Sequence, residues 1–600
     1  MQVITTRILY GILFFVVAGV VFVFGMSFGT EKQKSVPVLL DEASEQPKYT
    51  YGLYGREFYE AAYKGVRVAE TGRVQSALAA HHLLAARPIA EVFETLAKEQ
   101  PTTIVIVSPN HFDVGRSPAQ VSFGTWQTPY GDVSTNMELA EMLAQRVAVL
   151  EHEESAAPNE HGIGALTAFV KRSMPRARIV PLIVHESLTP QDAREIGEAV
   201  AALSPDAVMI ASIDMSHNLP QNAAAFHDEV TLRQIESGGL DDVNLEIDSN
   251  ATLRILQAFN AAHGTERFAL THHGSSLQMG AAQDWRDNTS HILGVFTYGE
   301  PSAEPFAALH IVGDVMLDRG VRRKMDEHGT AYPWQNVTRF LQGAHLRVGN
   351  LEGTVNEQPS TYTVNPPFRF VFVPKAVEAM KPYIDVVSLA NNHSSDVGTA
   401  GLRETRERLD AIGMSWFGGY TEPTPRYDTT INGMALSLIG YHQFQPNIQA
   451  LEREIAAADA EGRFVIVLPH WGAEYVTRPQ PSQRALAERM ADAGADLIVG
   501  GHPHVPQGIE VIGDVPVVYS LGNFVFDQEI PSTWNALTLG VTVERDRVIL
   551  HLLPVGTRCG QPVPQSDESE LALRALVADM SDENIHDDVA AGVLTIFYVQ

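Results

Sequence analysis

LIVGGHPHVPQG, residues 497–508, is a short β-prone apolar run that ends in a glycine turn bearing two histidines. Before it, Leu486, Met490 and Ala493 line one face of a helix that stops at Gly494. The same pattern recurs upstream. Leu309–Val312 runs into Gly313-Asp314, and Leu346–Val348 into Gly349-Asn350-Leu351-Glu352. Val386–Leu389 runs into Ala390-Asn391-Asn392-His393, and Phe464–Leu468 into Pro469-His470-Trp471-Gly472. Short strands alternating with helices predict an α/β sheet. In such sheets ligands gather beyond the carboxyl ends of the strands, where these polar residues fall.

Asp, Glu, Asn and His at five strand ends are the oxygen and imidazole ligands that divalent ions prefer. Metal-dependent hydrolases draw such ligands together and leave a position open for water. Glycines beside them (Gly313, Gly349, Gly472, Gly500, Gly501) permit tight turns. A lone histidine in a turn is most simply hydrogen-bonded scaffold. That explanation weakens when H-P-H, N-N-H and P-H-W-G occur together.

An earlier block, from about Tyr49 to Glu300, follows the same logic. Thr103–Val107 leads into Ser108-Pro109-Asn110-His111, and Ala207–Ile213 into Asp214-Met215-Ser216-His217. His81-His82, Asn110-His111, Glu160-His161, Asp214-x-x-His217 and His272-His273 lie on five separate segments. Two histidines and one carboxylate with open positions suit an iron-type centre.

The chain has 600 residues, enough for two or three cores, with 45% hydrophobic and 19% charged residues. That composition excludes wholesale disorder. A net charge of −29 repels phosphate backbones, so no nucleic-acid partner is expected. The one cysteine, Cys559, rules out an internal disulfide. The run Ile8–Phe28 is almost wholly apolar, and a membrane-spanning helix needs about 20 such residues. It is longer than a signal-peptide core and lacks a clear cleavage site, so an uncleaved single-pass anchor is expected. Charges flanking it are nearly balanced, which leaves its orientation open. The expected plan is an N-terminal transmembrane helix followed by two α/β domains. It comprises 1–30 as cytoplasmic tip and anchor, 31–48 as linker, 49–300 as the first domain and 306–600 as the second.

Six ordered motifs of the second block are GDVMLDRG (313–320), GNLEG (349–353), LANNHSSDVGTAGL (389–402), LPHWGAEY (468–475), GGHPHVPQG (500–508) and YSLGNFVFDQ (519–528). Together they resemble the CapA family of capsule and poly-γ-glutamate synthesis, which has a calcineurin-like metallophosphatase fold. The resemblance implies that Asp314 ligates a first metal, that Glu352 takes the bridging place and that Asn392 ligates a second. His470, His502 and His504 would complete the shell. His393 would act as general acid or oxyanion partner, and Arg319 would face a phosphate or carboxylate. The implied ion is Mn, Fe or Zn. Metallophosphatases carry D-x-H at the first motif. Here Met316 stands in the histidine slot, and Glu352 replaces the usual aspartate. One metal, or altered chemistry, stays open.

In the first block, AAHHLLA (79–85), IVSPNHF (106–112), TWQTPYGDV (125–133), NEHGI (159–163), SIDMSHNL (212–219) and NTSHILG (288–294) resemble the Memo-like family. Its bacterial members are described as AmmeMemoRadiSam system protein B, and it shares a fold with extradiol dioxygenases. The resemblance implies metal-facing His81 or His82, His111 and His217, with Asp214 nearby and Glu160 and His161 on the rim. Iron or copper would suit such a site. The family often has a cysteine near the last site, and His272 or His273 is expected in that region.

Together the resemblances imply a membrane-anchored envelope protein with extracytoplasmic domains. It would carry out metal-dependent hydrolysis or transfer on an anionic polymer or its precursor, alongside other capsule-synthesis proteins. The alternatives are a non-catalytic polymer-assembly or tethering protein and a redox enzyme acting through the first domain.

Overall fold

Thr103–Pro109 is buried along its whole length, and its alternate residues serve two different cores. Val105 and Val107 belong to one core with Ile196 and Phe259, whereas Ile104 and Ile106 belong to another with Phe93 and Phe169. Burial on both faces explains the continuous apolar run TIVIV, in place of strict alternation. The computed structural model in which this is seen describes residues 46–51, 54–239, 244–301, 304–357, 368–420, 425–444 and 447–598.

That strand lies within an eight-stranded sheet. Its central members, Val74–Ala79, Val208–Ser212, Thr103–Pro109 and Arg178–Val184, are parallel neighbours in that order. Helices Ala86–Ala97 and His161–Ser173 contribute to the core on one face, and Pro190–Leu203 and Asn250–His263 to the core on the other. Strand Lys48–Thr50 pairs with Thr125–Thr128, so Lys48, expected to be linker, belongs to a strand.

The second half contains a nine-stranded and a six-stranded sheet. Leu309, Ile311, Val348 and Leu539 of the first share one core with Leu438, Ile466, Leu497 and Val518 of the second. This is a sheet-on-sheet sandwich. Helices Ile448–Ala460 and Pro481–Asp492 add Ile455 and Met490 to the core beyond the six-stranded sheet.

The outer face of the nine-stranded sheet is covered by a helix of the first half, Gln221–Ser237. Phe226 is fully buried there, and a Cβ on Gly540 would lie 2.5 Å from its ring. Glycine is what lets the helix approach that strand so closely. Polar pairs flank the contact. His551 Nε2 lies 2.9 Å from Glu229 Oε2, and Arg233 lies 2.6 Å from Glu544. The mixed α/β architecture in two parts is as expected, and the two parts share a contiguous core.

Among the described residues no helix is long and apolar enough to cross a membrane. The anchor expected near Ile8–Phe28 lies outside the described residues.

Candidate metal centres

In the second half, strands Phe306–Val315, Leu346–Leu351 and Val386–Ser388 are parallel neighbours in one sheet. Strands Phe464–His470 and Leu497–Val499 are parallel neighbours in the other. Their carboxyl ends meet at one place. Asp314 and Glu352 are fully buried, and His470, His502 and His504 are nearly so. Gly501 is required here, because a Cβ would sit 2.9 Å from Asp314 Oδ1. His502 (φ 94°) and His504 (φ 59°) both hold left-handed backbone. That conformation costs on the order of 1–3 kcal/mol per residue, and such strain tends to collect at functional sites.

The donors fall into two adjacent groups. Asp314, Glu352 and His504 form the first, with His504 Nδ1 3.3 Å from Asp314 Oδ2 and Nε2 3.8 Å from Glu352 Oε1. Asn392, His470 and His502 form the second. His470 Nε2 lies 2.8 Å from Asn392 Oδ1 and 3.1 Å from His502 Nδ1. Two ligands about 2.1 Å from one ion at right angles stand about 3 Å apart, so this spacing suits a chelating set. Both oxygens of Glu352 are buried with no hydrogen-bond partner. Burial, and then the neighbouring Asp314 carboxylate, push its carboxyl well above the usual range. A cation between these donors would relieve that cost, so the residues fit a divalent ion. Burial, then His502 and His504, hold His470 well below the usual imidazole range, which keeps the ring neutral with one nitrogen able to offer a lone pair. Burial also lowers His504, but Glu352 and Asp314 outweigh it and raise it to about 9.

His393 stands at the rim. Its Nδ1 lies 2.9 Å from Asp396 Oδ2, which turns Nε2 to within 3.9 Å of Glu352 Oε1. The buried Asn391 donates to Asn350 Oδ1 and accepts from the His393 amide, tying two strand ends together. Asn350 in turn donates to Asp314 Oδ1 at 2.8 Å. Arg319, expected to meet a substrate anion, is paired with Asp527 and lies over Phe370 and Phe526. Those two rings pack on His393 and His504, so Arg319 belongs to the wall of the site. Met316 is fully buried, and its sulfur lies 3.1 Å from the Asp318 amide nitrogen. It serves the core instead of the histidine's role. Sequence reading gave no role to Asn391, Asp396 or Glu474. The last lies with His502 and His504 in another possible donor group.

The first half has its own cluster, beyond the carboxyl ends of three parallel strands. His81 Nε2 lies 3.3 Å from both Asp214 Oδ2 and Asp248 Oδ2. His111 Nε2 and His217 Nε2 approach the same Asp248 carboxylate at 3.7 and 3.4 Å. Glu160 caps helix His161–Ser173 and accepts from His111 Nδ1 at 2.7 Å, fixing that ring. His161 lies over His111, with ring centroids 3.9 Å apart. Burial would raise the Asp248 carboxyl, but His111 and His81 outweigh it and hold it well below the usual range. His111 Nε2 is buried without a hydrogen-bond partner, and His81, His111 and His161 offer converging nitrogens, so this set also fits a metal ion.

His82 points elsewhere, to His291 at 3.1 Å (Nδ1 to Nε2), in a side group with Asp214. His272 is not among the converging donors of the described residues, and His273 pairs with Asp228 at 2.9 Å. Asp248, which sequence reading gave no role, meets His81, His111 and His217. In the sequence Asp248 precedes Ser249, which caps the next helix, and so reads as part of a capping signal.

Residues 308–528 match the family model for bacterial capsule synthesis protein PGA_cap, and residues 66–282 that for Memo-like protein. The capsule biosynthesis protein CapA of Bacillus anthracis is 29% identical over 299 residues, which is 45% of this chain and 73% of that protein. The PGA biosynthesis protein CapA of Bacillus subtilis is 28% identical over 307 residues, 47% of this chain and 80% of that protein. A MEMO1 family protein of Pyrobaculum aerophilum is 27% identical over 210 residues, 33% of this chain and 73% of that protein.

Proposed function

Starting from a chain that joins a Memo-like part to a capsule synthesis PGA_cap part, we propose a membrane-anchored envelope protein. Its second half performs metal-dependent hydrolysis or transfer on an anionic polymer, such as poly-γ-glutamate, or on a precursor of one. The observation that carries this reading is Glu352. Its two unpartnered, buried carboxylate oxygens lie in a cage of carboxylate, amide and imidazole donors. A divalent ion bound there supplies Lewis acidity and a water of lowered pKa.

The chain's own residues supply the rest. Asp314, Glu352 and His504 form one side of the cage, and Asn392, His470 and His502 the other. Asp396 orients His393, whose Nε2 faces the cage and is placed to hand a proton to a leaving group. Phe370 and Phe526 exclude water on that side. A polyanion approaching a chain of net charge −29 is repelled in general, so its productive contact is with the cationic centre. The names of the Bacillus relatives point to the capsule and PGA classes of polymer. Ile8–Phe28 provides the anchor.

A second reading comes from the first half. Three histidine Nε2 atoms about one carboxylate suit iron or copper, and with them a redox role.

The test is a metal count on the full chain, paired with hydrolysis of a phosphodiester and a γ-glutamyl chromogenic substrate. Wild type is compared with His393→Ala and His504→Ala. Bound Mn, Fe or Zn is expected, with turnover lost in both variants and the second-half metal lost only in His504→Ala. Full metal loading with no turnover on either substrate would sink the catalytic reading in favour of polymer tethering.

A further inference from the structure

We infer that the second half completes the site of the first, with Arg339 acting through Glu246 to hold the short segment that carries Asp248. This rests on the reading of the first-half cluster as a metal site.

The segment 244–250 has no regular structure before the helix that starts at Asn250. Within the first half, the Asp214 amide donates to Asp248 Oδ2 at 2.9 Å, and the Asp248 amide donates to Asp214 O at 3.2 Å. The Leu245 amide donates to Asn250 Oδ1. Asp248 also meets His81, His111 and His217 of the same half, and further contacts come from the other half of the chain. The Gly343 amide donates to Asn244 O at 3.2 Å, and Arg339 Nη1 donates to Glu246 Oε1 at 3.1 Å. Gly343 also lies against the segment, since a Cβ there would be 3.4 Å from Glu246 N and 2.7 Å from His227 Nδ1.

The pair is asymmetric. The Glu246 side chain is 1% exposed, while that of Arg339 is 55% exposed. A carboxylate buried to that extent needs its cation, and the cation sits on the other half. Glu246 stands beside Ser216 and His217 as well as two residues before Asp248. It therefore braces two of the groups that meet at the cluster, Asp248 and His217. Neither Arg339 nor Glu246 is among the possible metal-donor groups of the described residues, so both are positioning residues. The fusion of the two halves thus has a structural consequence: the first-half site is built partly from outside its own sheet.

The experiment uses the full-length chain and Co(II) as the probe. The first-site signal is the visible absorption lost in His111→Ala, and the second-site signal that lost in His504→Ala. Arg339→Ala and Glu246→Gln are expected to weaken Co(II) at the first site by roughly 10–100-fold, the range for losing an outer-shell partner. The second-site affinity is expected to stay unchanged, and Arg339→Lys to restore most of the loss. In the metal-free chain, amide exchange at Leu245 and Asp248 is expected to speed up in Arg339→Ala. A general loss of folding would instead weaken both sites together and would overturn the inference. So would unchanged first-site affinity and exchange in Arg339→Ala when Asp248→Asn does weaken Co(II). Absence of any first-site signal in wild type is a different failure: it overturns the metal reading of the first half, and the inference with it.

Discussion

The Glu352 carboxylate faces His504 across 3.8 Å, Oε1 to Nε2, with neither of its own oxygens hydrogen-bonded. A group buried in this way destabilises the metal-free chain and gains most when a cation arrives.

Glu352→Met is therefore expected to stabilise the metal-free chain by about 1–3 kcal/mol, the scale of an unsatisfied buried polar group. It should also abolish most of the rise in Tm on adding Mn²⁺ or Zn²⁺. For comparison, an ion at 100 times its Kd contributes about 2.7 kcal/mol. Scanning calorimetry with and without chelator checks both signs, and a lower metal-free Tm for the variant would refute the account.

His393 and Asp396 separate orientation from metal binding. His393→Ala is expected to lower kcat by about 10²–10⁴-fold, the usual contribution of a positioned acid–base group. Asp396→Asn should cost less, because the ring stays while its orienting partner at 2.9 Å weakens. Metal content should be unchanged in both, which elemental analysis beside the rate measurement will decide.

Glu246 makes stability depend on pH. Burial, eased by Ser216 and Arg339, raises its carboxyl from 4.5 to about 7. A carboxyl raised on folding contributes stability that is present below about pH 4.5 and is lost as pH rises through about 7. In metal-free protein, wild type should lose up to about 3 kcal/mol relative to Glu246→Gln across that window. Parallel denaturant melts from pH 4 to 8 measure the difference. A gap that stays constant with pH would count against the raised carboxyl.

Phe226 joins the two halves. Phe226→Ala is expected to cost about 3–5 kcal/mol. Gly540→Val, which drives a branched side chain into that ring, should cost on the order of 1–3 kcal/mol or more. With a shared core, wild type should melt in one transition, and Phe226→Ala should begin to split it. Calorimetry in which wild type already shows two independent transitions would contradict this coupling.

Most of the second-half site was legible in the residue order. A strand followed by a glycine turn delivers its next side chain to the sheet's carboxyl edge, so H-P-H, N-N-H and P-H-W-G could be read locally. Asp396 carried a readable signal too, three residues after His393, but i,i+3 spacing alone does not distinguish a ring-orienting partner from a surface acid. The packing of Arg319 and Met316 was not legible in the residue order. Arg319 pairs with Asp527, and Met316, in the slot where metallophosphatases carry a histidine, is buried in the core.

By itself, then, the sequence determined two α/β halves and the strand-end residues of both clusters, because hydrophobic period and turn chemistry act over a few neighbouring residues. Only the tertiary structure decided that Asp248, rather than His272, meets His81, His111 and His217. It also decided that Arg339 of one half holds Glu246 of the other. Those contacts join segments tens to more than a hundred residues apart, and they exist only once the cores have packed and brought buried charges within reach of one another.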